Sequence, residues 1–448
     1  MYIGESSPPR WRGALVQMVN ICVAGGTMAA SIVNGIFSYY PWGWRAMLGL
    51  ASIPGIIQFI GFWFLPESPR WLVKHGRIEK AKETLKRLVG EAETEREFDE
   101  IVKVEKMQQR IRQEMNGASV ISRVFSTPPV LRAAIVGCGI QIINQLAGIN
   151  VIVPYSAMIM RMSGIQSDQA VMWMVVAVSG LFVVGQLITL CTVGRFGRRK
   201  IFLSHLAVVI LALIFLAISF YLMSISAPPV TYHNMLAGSC GQINQCTSCI
   251  LEEHCGFCYI QQNDSFVPGS GSCLPLDVND VQHSTIGRCS KQNITDNIVW
   301  AYDFCPNPYG IMALVGMMVY ILPFAAGVGP IIWIITPELY PTWARGFGTS
   351  SATAVGWITN LLISLTFLSL TQAITRYGTF LVYAGCTVFG WIFIYYLVPE
   401  TKDKHLEEVE KLFEEPFSTC CGKPLGGIYQ KLDNSDEDEI LPVSDEDD

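Results

Sequence analysis

Residues 201–223 read IFLSHLAVVILALIFLAISFYLM, an apolar run of 23 residues without a single Asp, Glu, Lys or Arg. About 20 such residues on a helix cross the roughly 30 Å of bilayer hydrocarbon, so the run predicts a membrane-spanning helix. Seven further runs of similar length lie on either side of it, at 14–37, 46–65, 133–160, 171–193, 311–335, 347–370 and 379–398. Only 15% of the 448 residues are charged, where soluble domains carry about 25%. A soluble core does not repeat a bilayer length eight times, and the expected class is an all-α polytopic membrane protein in a lipid bilayer.

Just before residue 201 stands Gly194-Arg-Phe-Gly-Arg-Arg-Lys200, with four basic residues in seven. Lys and Arg also crowd residues 67–132, whereas 39–44, 161–170 and 224–309 hold few or none. The positive-inside rule therefore predicts the basic segments, and both termini, on the cytoplasmic side. Met1–Arg12 is polar and proline-rich, unlike a cleavable signal peptide. Within 67–132 the stretch Ile78–Leu88 spaces apolar residues at helical intervals among charges, as a solvated cytoplasmic brace does. The tail turns acidic after residue 400, and 436–441 loosely resembles an acidic dileucine sorting signal, which fits a plasma or endosomal membrane.

Segment 224–309 follows the quoted run and is different in kind. It holds Cys240, Cys246, Cys249, Cys255, Cys258, Cys273, Cys289 and Cys305, eight of the fourteen cysteines, and two Asn-x-Ser/Thr sequons at Asn263 and Asn293. Only five residues separate Cys249 from Cys255, while zinc ribbons place about 15–20 between knuckles. On the outer side thiols oxidise, so the expectation is about four disulfides and two glycosylation sites, with no metal. The pairing is not readable, since eight cysteines allow about 105 connectivities.

An internal repeat sets the architecture. Glu5, Pro8, Arg12 and Gly13 before the first run match Glu338, Pro341, Arg345 and Gly346 before the seventh; Pro66-Glu67 and Pro399-Glu400 close the second and eighth. All six pairs are 333 residues apart. Runs one and two thus correspond to runs seven and eight. If the last six form one bundle, the first two are the closing pair of another, and four spans are expected ahead of Met1. The segments expected are 1–65 (two helices of the first bundle), 66–132 (cytoplasmic linker), 133–223 (three helices of the second bundle), 224–309 (extracellular loop), 310–400 (its last three helices) and 401–448 (acidic tail).

Polar groups inside a span are costly unless they face a partner or a cavity. Gln141, Asn144 and Gln145 share one helical face through their i, i+3, i+4 spacing. Asn150 faces away on a straight helix, but Gly148 and Pro154 offer a break that turns it back. Amides donate and accept, which suits a small neutral polyol or sugar. Trp333, in a Gly/Pro-broken stretch, can stack on a ring; Asn360 and Asn20 are further candidates. Helix-to-helix gluing for the amides and interfacial anchoring for Trp333 remain open.

At the predicted cytoplasmic ends, Glu5, Arg12, Glu67, Arg70, Glu338, Arg345 and Glu400, with Arg195, Arg198 and Arg199, form candidate gate charges. No Gly-x-x-x-x-Gly-Lys-Ser/Thr and no His-Glu-x-x-His occurs, so the sequence predicts no enzyme, no cofactor and no nucleic-acid partner. His205 reads as structural.

Together Gly194-Arg-Phe-Gly-Arg-Arg199, Pro66-Glu-Ser-Pro-Arg70, Gln145-Leu-Ala-Gly-Ile-Asn150, Gly329-Pro-Ile-Ile-Trp333 and Pro399-Glu-Thr-Lys402 resemble the sugar porter family of the major facilitator superfamily. The resemblance implies a major facilitator fold lacking its first four helices, two plus six spans, with a small disulfide-rich extracellular module. The module's position resembles the animal inositol–proton branch, implying myo-inositol uptake driven by protons; its cysteine pattern resembles plexin–semaphorin–integrin modules, which would admit an extracellular protein partner. The family's proton-coupling carboxylate is expected on the first of twelve helices. Asn144, Pro154, Gly194, Ile332 and Gly356 depart from the family pattern, the last standing where an amide is usual. A facilitative hexose carrier and a non-transporting receptor or inactive fragment are the alternatives.

Overall fold

The structure is a computed structural model; it describes residues 2, 6, 9–114, 120–153, 155–162, 167–233, 235–252, 254–260, 271–277, 280–291, 298–302, 304–341, 343–402 and 412–413. Among them, eight helical stretches are long and apolar enough to cross a membrane. The first two are α1 (Pro9–Phe37) and α2 (Gly43–Phe62). The second ends three residues before the apolar run does. Pro66 follows, and residues ahead of a proline are pushed out of helical geometry.

Between the first pair and the rest lie α3 (Pro69–Lys74), α4 (Ile78–Val89), α5 (Glu91–Glu114) and α6 (Val120–Ser126). Leu72, Val73, Ala81, Leu85, Phe98 and Ile101 close a small core among α3, α4 and α5. Their charged faces stay outward, as in the exposed Lys82–Glu95 pair at 3.0 Å.

The third run does not form one span to residue 160. It divides into α7 (Pro128–Leu146), α8 (Ile149–Ile152) and α9 (Ser156–Met162). Gly148 has φ +89°, a left-handed conformation open to glycine at little cost, and it ends α7. Pro154 lies outside the described residues. Then come α10 (Asp168–Thr192) and α11 (Arg198–Ile225). The sixth run holds α13 (Gly310–Pro323), a π-helical turn (Phe324–Val328) and α14 (Gly329–Glu338), with α12 (Cys246–Leu251) in the module before it. The last two spans are α15 (Arg345–Ile374) and α16 (Arg376–Leu397). Helices α2 and α16 begin at Gly43 and Arg376, 333 residues apart, so the repeat extends to helix boundaries.

Helix α11 packs on α13 and α16, α15 packs on α7, and α1 packs along α10. Buried Ile140, Phe202, Leu213, Tyr320 and Ile331 belong to one continuous core. Outward apolar side chains abound, Ile57, Phe59 and Leu365 among them; on a soluble surface they would aggregate, whereas lipid tails accept them. Phe413 is buried against this bundle and its carbonyl accepts a 2.7 Å hydrogen bond from Arg132.

The cysteine-rich module contains a 3-10 turn (Met235–Gln242) and a three-stranded antiparallel sheet of β1 (Cys255–Ile260), β2 (Gly271–Pro275) and β3 (Ile298–Ala301), with β1 central. Its disulfides pack with Phe257, Leu274, Ala301 and Phe304 into one buried core. The pairs are Cys240–Cys255, Cys246–Cys305, Cys249–Cys273 and Cys258–Cys289. Cys246 joins the two ends of the module: its backbone N–H donates to Pro228 at 3.1 Å and its sulfur is bonded to Cys305. Asn263 and Asn293 lie outside the described residues.

Candidate substrate site and gate

On α7, Gln141, Asn144 and Gln145 are 1%, 6% and 7% exposed. Buried amides in a low-dielectric interior need hydrogen-bond partners. Gln145 has one: its Oε1 accepts from Asn150 Nδ2. The left-handed turn at Gly148 makes this contact, since it redirects the chain between the two residues. Tyr320 on α13 seals the break by donating to the Ala147 carbonyl at 2.7 Å. Tyr383 of α16 lies beside Gly148.

Gln141 Nε2 and Asn144 Oδ1 are buried without a hydrogen-bond partner among the described residues. One is a donor and the other an acceptor, on adjacent turns of one face. Across from Gln141 stands Gly356 of α15. Asn360, one turn further along α15, accepts a 3.2 Å hydrogen bond from Ser364.

Asn20 is placed on another wall. Its Nδ2 donates to Gln17 Oε1 at 3.2 Å, and Gln17 Nε2 donates to Gln186 Oε1 of α10 at 3.3 Å. Ser31 and Ser179 join the same two helices at 3.0 Å. Sequence reasoning named Asn20 and passed over Gln17 and Gln186, although both are intramembrane amides of the same kind. Trp333 is 44% exposed on α14. Among the described residues no hydrogen bond or ring contact brings it to the α7 amides.

The break between α13 and α14 is held from both sides. Thr189 of α10 donates to the carbonyls of Ala325 and Ala326, at 3.2 and 2.9 Å, groups that a π turn leaves poorly paired. On the opposite side His205 packs against Gly327, where an added Cβ would come within 2.3 Å of the ring. His205 Nδ1 pairs with the Ile201 carbonyl at 2.8 Å.

At the basic end, Arg198 meets Glu338 at 3.6 Å, and Thr401 donates to the same carboxylate. Glu400 accepts the backbone N–H groups of Arg199 and Lys402, each at 3.2 Å. Gly197 leaves room for this carboxylate, since a Cβ would stand 2.2 Å from Glu400 Oε2 and displace it. Arg199 donates to the Tyr395 carbonyl and lies over its ring, while Lys402 Nζ reaches the Arg195 carbonyl at 3.2 Å. The structure thus gathers Arg195, Arg198, Arg199, Glu338 and Glu400. Glu67 is exposed, and among the described residues no ion pair joins Arg70 or Arg345 to this group. Glu5 and the Arg12 side chain lie outside the described residues.

The sequence pattern of the family described as "Sugar (and other) transporter" matches residues 1–240 and 297–413. The chain belongs to this sugar transporter family, whose members are transporters rather than enzymes. It is 41% identical over 427 residues to the proton myo-inositol cotransporter of Homo sapiens, covering 94% of this chain and 65% of that protein. It is 38% identical to the proton myo-inositol cotransporter hmit-1.2 of Caenorhabditis elegans, covering 92% and 71%, and 35% identical to inositol transporter 4 of Arabidopsis thaliana, covering 93% and 72%. Among solved structures, the proton:xylose symporter XylE bound to 6-bromo-6-deoxy-D-glucose superposes with a TM-score of 0.58 at 22% identity, over 92% of this chain and 70% of XylE. The chain therefore spans just under two thirds of the human relative.

Proposed function

We propose that the chain serves proton-coupled uptake of myo-inositol, or a related polyol or hexose, by alternating access. The observation that carries this reading is the buried amide cluster of α7. Gln141 and Asn144 hold an unmet donor and an unmet acceptor among the described residues, beside the paired amides of Gln145 and Asn150, which suits a neutral ligand rich in hydroxyls. Relatives named as inositol transporters from animals and a plant support the substrate class. Asn150, Asn360, Asn20 and Trp333 are proposed as further contacts, and Gln17 and Gln186 as the polar seam along which α1 and α10 move.

The charge distribution supports the basic end as cytoplasmic and the disulfide module as extracellular, in a plasma or endosomal membrane. In that orientation the Arg198–Glu338 and Glu400 contacts form an inner gate that opens when the ligand is released. The division into a leading helix pair, a helical linker, a six-helix bundle split by the module and an acidic tail belongs to the same proposal. In the membrane-spanning helices the acidic residues are Asp168, at the start of α10, and Glu338, at the end of α14.

Radiolabelled myo-inositol uptake at acidic and neutral pH, in cells with the chain at the surface, tests the proposal. Acid-stimulated uptake lost on Gln141→Leu supports it. Inositol uptake indifferent to pH points to a facilitative carrier, and binding of neither polyol nor hexose removes the proposal.

A further inference from the structure

A cavity of about 560 Å³, counting its open mouth, lies between the cysteine-rich module and the membrane helices. Helix α11 supplies Phe220 and Met223 to its lining, the module's α12 supplies Ile250 and Leu251, and α16 supplies Tyr377. No residue of α7 lines it, so it is separate from the amide cluster. Its walls offer water few partners, and apolar cavities of this kind stay dry. Tyr221 and Tyr377 meet edge-on at the same end, ring centroids 5.5 Å apart, as tyrosines do at a membrane interface. Tyr221, Ile225 and Leu251 are all exposed, so apolar surface continues from the end of α11 onto the module.

Polar groups enter the lining together at the turn into α16, where Thr375 is followed by Arg376. Thr375 has φ +84° and ψ 159°, a conformation that a branched side chain rarely adopts. Glycine would hold this turn with less strain, so what the threonine adds is its hydroxyl. That oxygen accepts the Gly378 N–H at 3.3 Å, and its own hydrogen can still donate. A guanidinium and a hydroxyl beside an apolar cavity suit a phosphate ester that carries a hydrocarbon chain. We propose that the cavity binds a phospholipid from the leaflet at the module's end of the bundle. Its phosphate sits on Arg376 and Thr375, and the upper part of one acyl chain lies between α11 and α12. The lipid thereby fills the joint between module and bundle. This site goes beyond the transport reading and does not depend on it.

The test places the purified chain in bilayer nanodiscs containing phosphatidylcholine with a diazirine in the first half of one acyl chain. After irradiation and reduction of the disulfides, mass spectrometry locates the attached lipid. Label is expected on Ile250 or Leu251 as well as on α11, with exposed Leu365 of α15 as the reference for surrounding lipid. Arg376→Gln lowers the module label about tenfold relative to Leu365, the loss of one charge-assisted hydrogen bond. Arg376→Lys recovers part of it. Met223→Trp narrows the cavity from α11 and lowers the same label, and it serves if Arg376→Gln fails to fold. A diacylglycerol probe, which lacks the phosphate, labels Leu365 but not the module. Module label that is equal for both probes, or that persists in both Arg376→Gln and Met223→Trp, overturns the proposal. So does the absence of module label, or module label from a diazirine fatty acid alone, which assigns the cavity to a free amphiphile. The uptake measurement is independent of all these results, so the transport proposal stands or falls separately.

Discussion

The hydroxyl of Tyr320 on α13 donates a 2.7 Å hydrogen bond to the carbonyl oxygen of Ala147, at the point where Gly148 breaks the third span. Both residues are fully buried. The break removes a helical partner from that carbonyl, and an unmet carbonyl in hydrocarbon is costly, so a side chain from a neighbouring helix replaces it. The bend that brings Asn150 back to Gln145 therefore depends on α13.

Tyr320→Phe keeps the ring and leaves the Ala147 carbonyl unpaired. The expected destabilisation is about 1–3 kcal/mol, seen as a lower unfolding midpoint in detergent. A second effect should accompany it: weaker ligand binding, because Asn150 is no longer held in place. An unchanged midpoint would show that the break supports itself.

Thr189→Val is nearly isosteric and removes both hydrogen bonds to the π turn. Loss of about 1–3 kcal/mol is expected, together with reduced uptake, while Thr189→Ser retains the hydroxyl and most of the activity. Equal behaviour of the valine and serine variants would mean that the hydroxyl does not support the turn.

Arg198 and Glu338 can be tested by exchange. Each single reversal places like charges together, and the double variant Arg198→Glu with Glu338→Arg restores an attractive pair. Uptake measured across the four proteins should show a coupling of about 0.5–1 kcal/mol. Additive losses would assign the two residues independent roles.

Cys246–Cys305 closes a loop across a sequence separation of 59, and a cross-link of that length contributes about 4 kcal/mol by chain entropy. Replacing both by serine should open the module to trypsin under non-reducing conditions while the membrane bundle resists. Cys240–Cys255 has a separation of only 15 and should matter less, by about 1 kcal/mol. Cleavage rates of the two double variants decide the order.

Span positions were legible because bilayer thickness imposes a length that apolar residues report one by one. The end of α2 was not, because apolar composition does not register where a helix stops ahead of a proline; the break in the third run was readable in Gly148 and Pro154, but not the left-handed geometry at Gly148. Disulfide number followed from counting, whereas pairing needed the sheet that sets β1 between β2 and β3. The α7 amides stood out by density, four within ten residues. Gln17 and Gln186 did not, since each is a single amide in its own span and only the packing of α1 on α10 brings them together. Trp333 was singled out by its motif, and its exposure on α14 could not be foreseen from spacing alone. Likewise the grip of Thr189 on the π turn joins residues 136 and 137 positions apart, a distance no local pattern covers.

With Pro228 and Cys305 both held at Cys246, the whole sulfur-rich excursion leaves and re-enters the bundle through a single doorway. To α11 and α13 it is an appendage on a short stalk, so its interior can drift in sequence, gain residues or be replaced by a brief turn without altering the spacing of the helices beneath. Such an arrangement lets the sulfur-rich appendage evolve separately from the helical bundle that carries it.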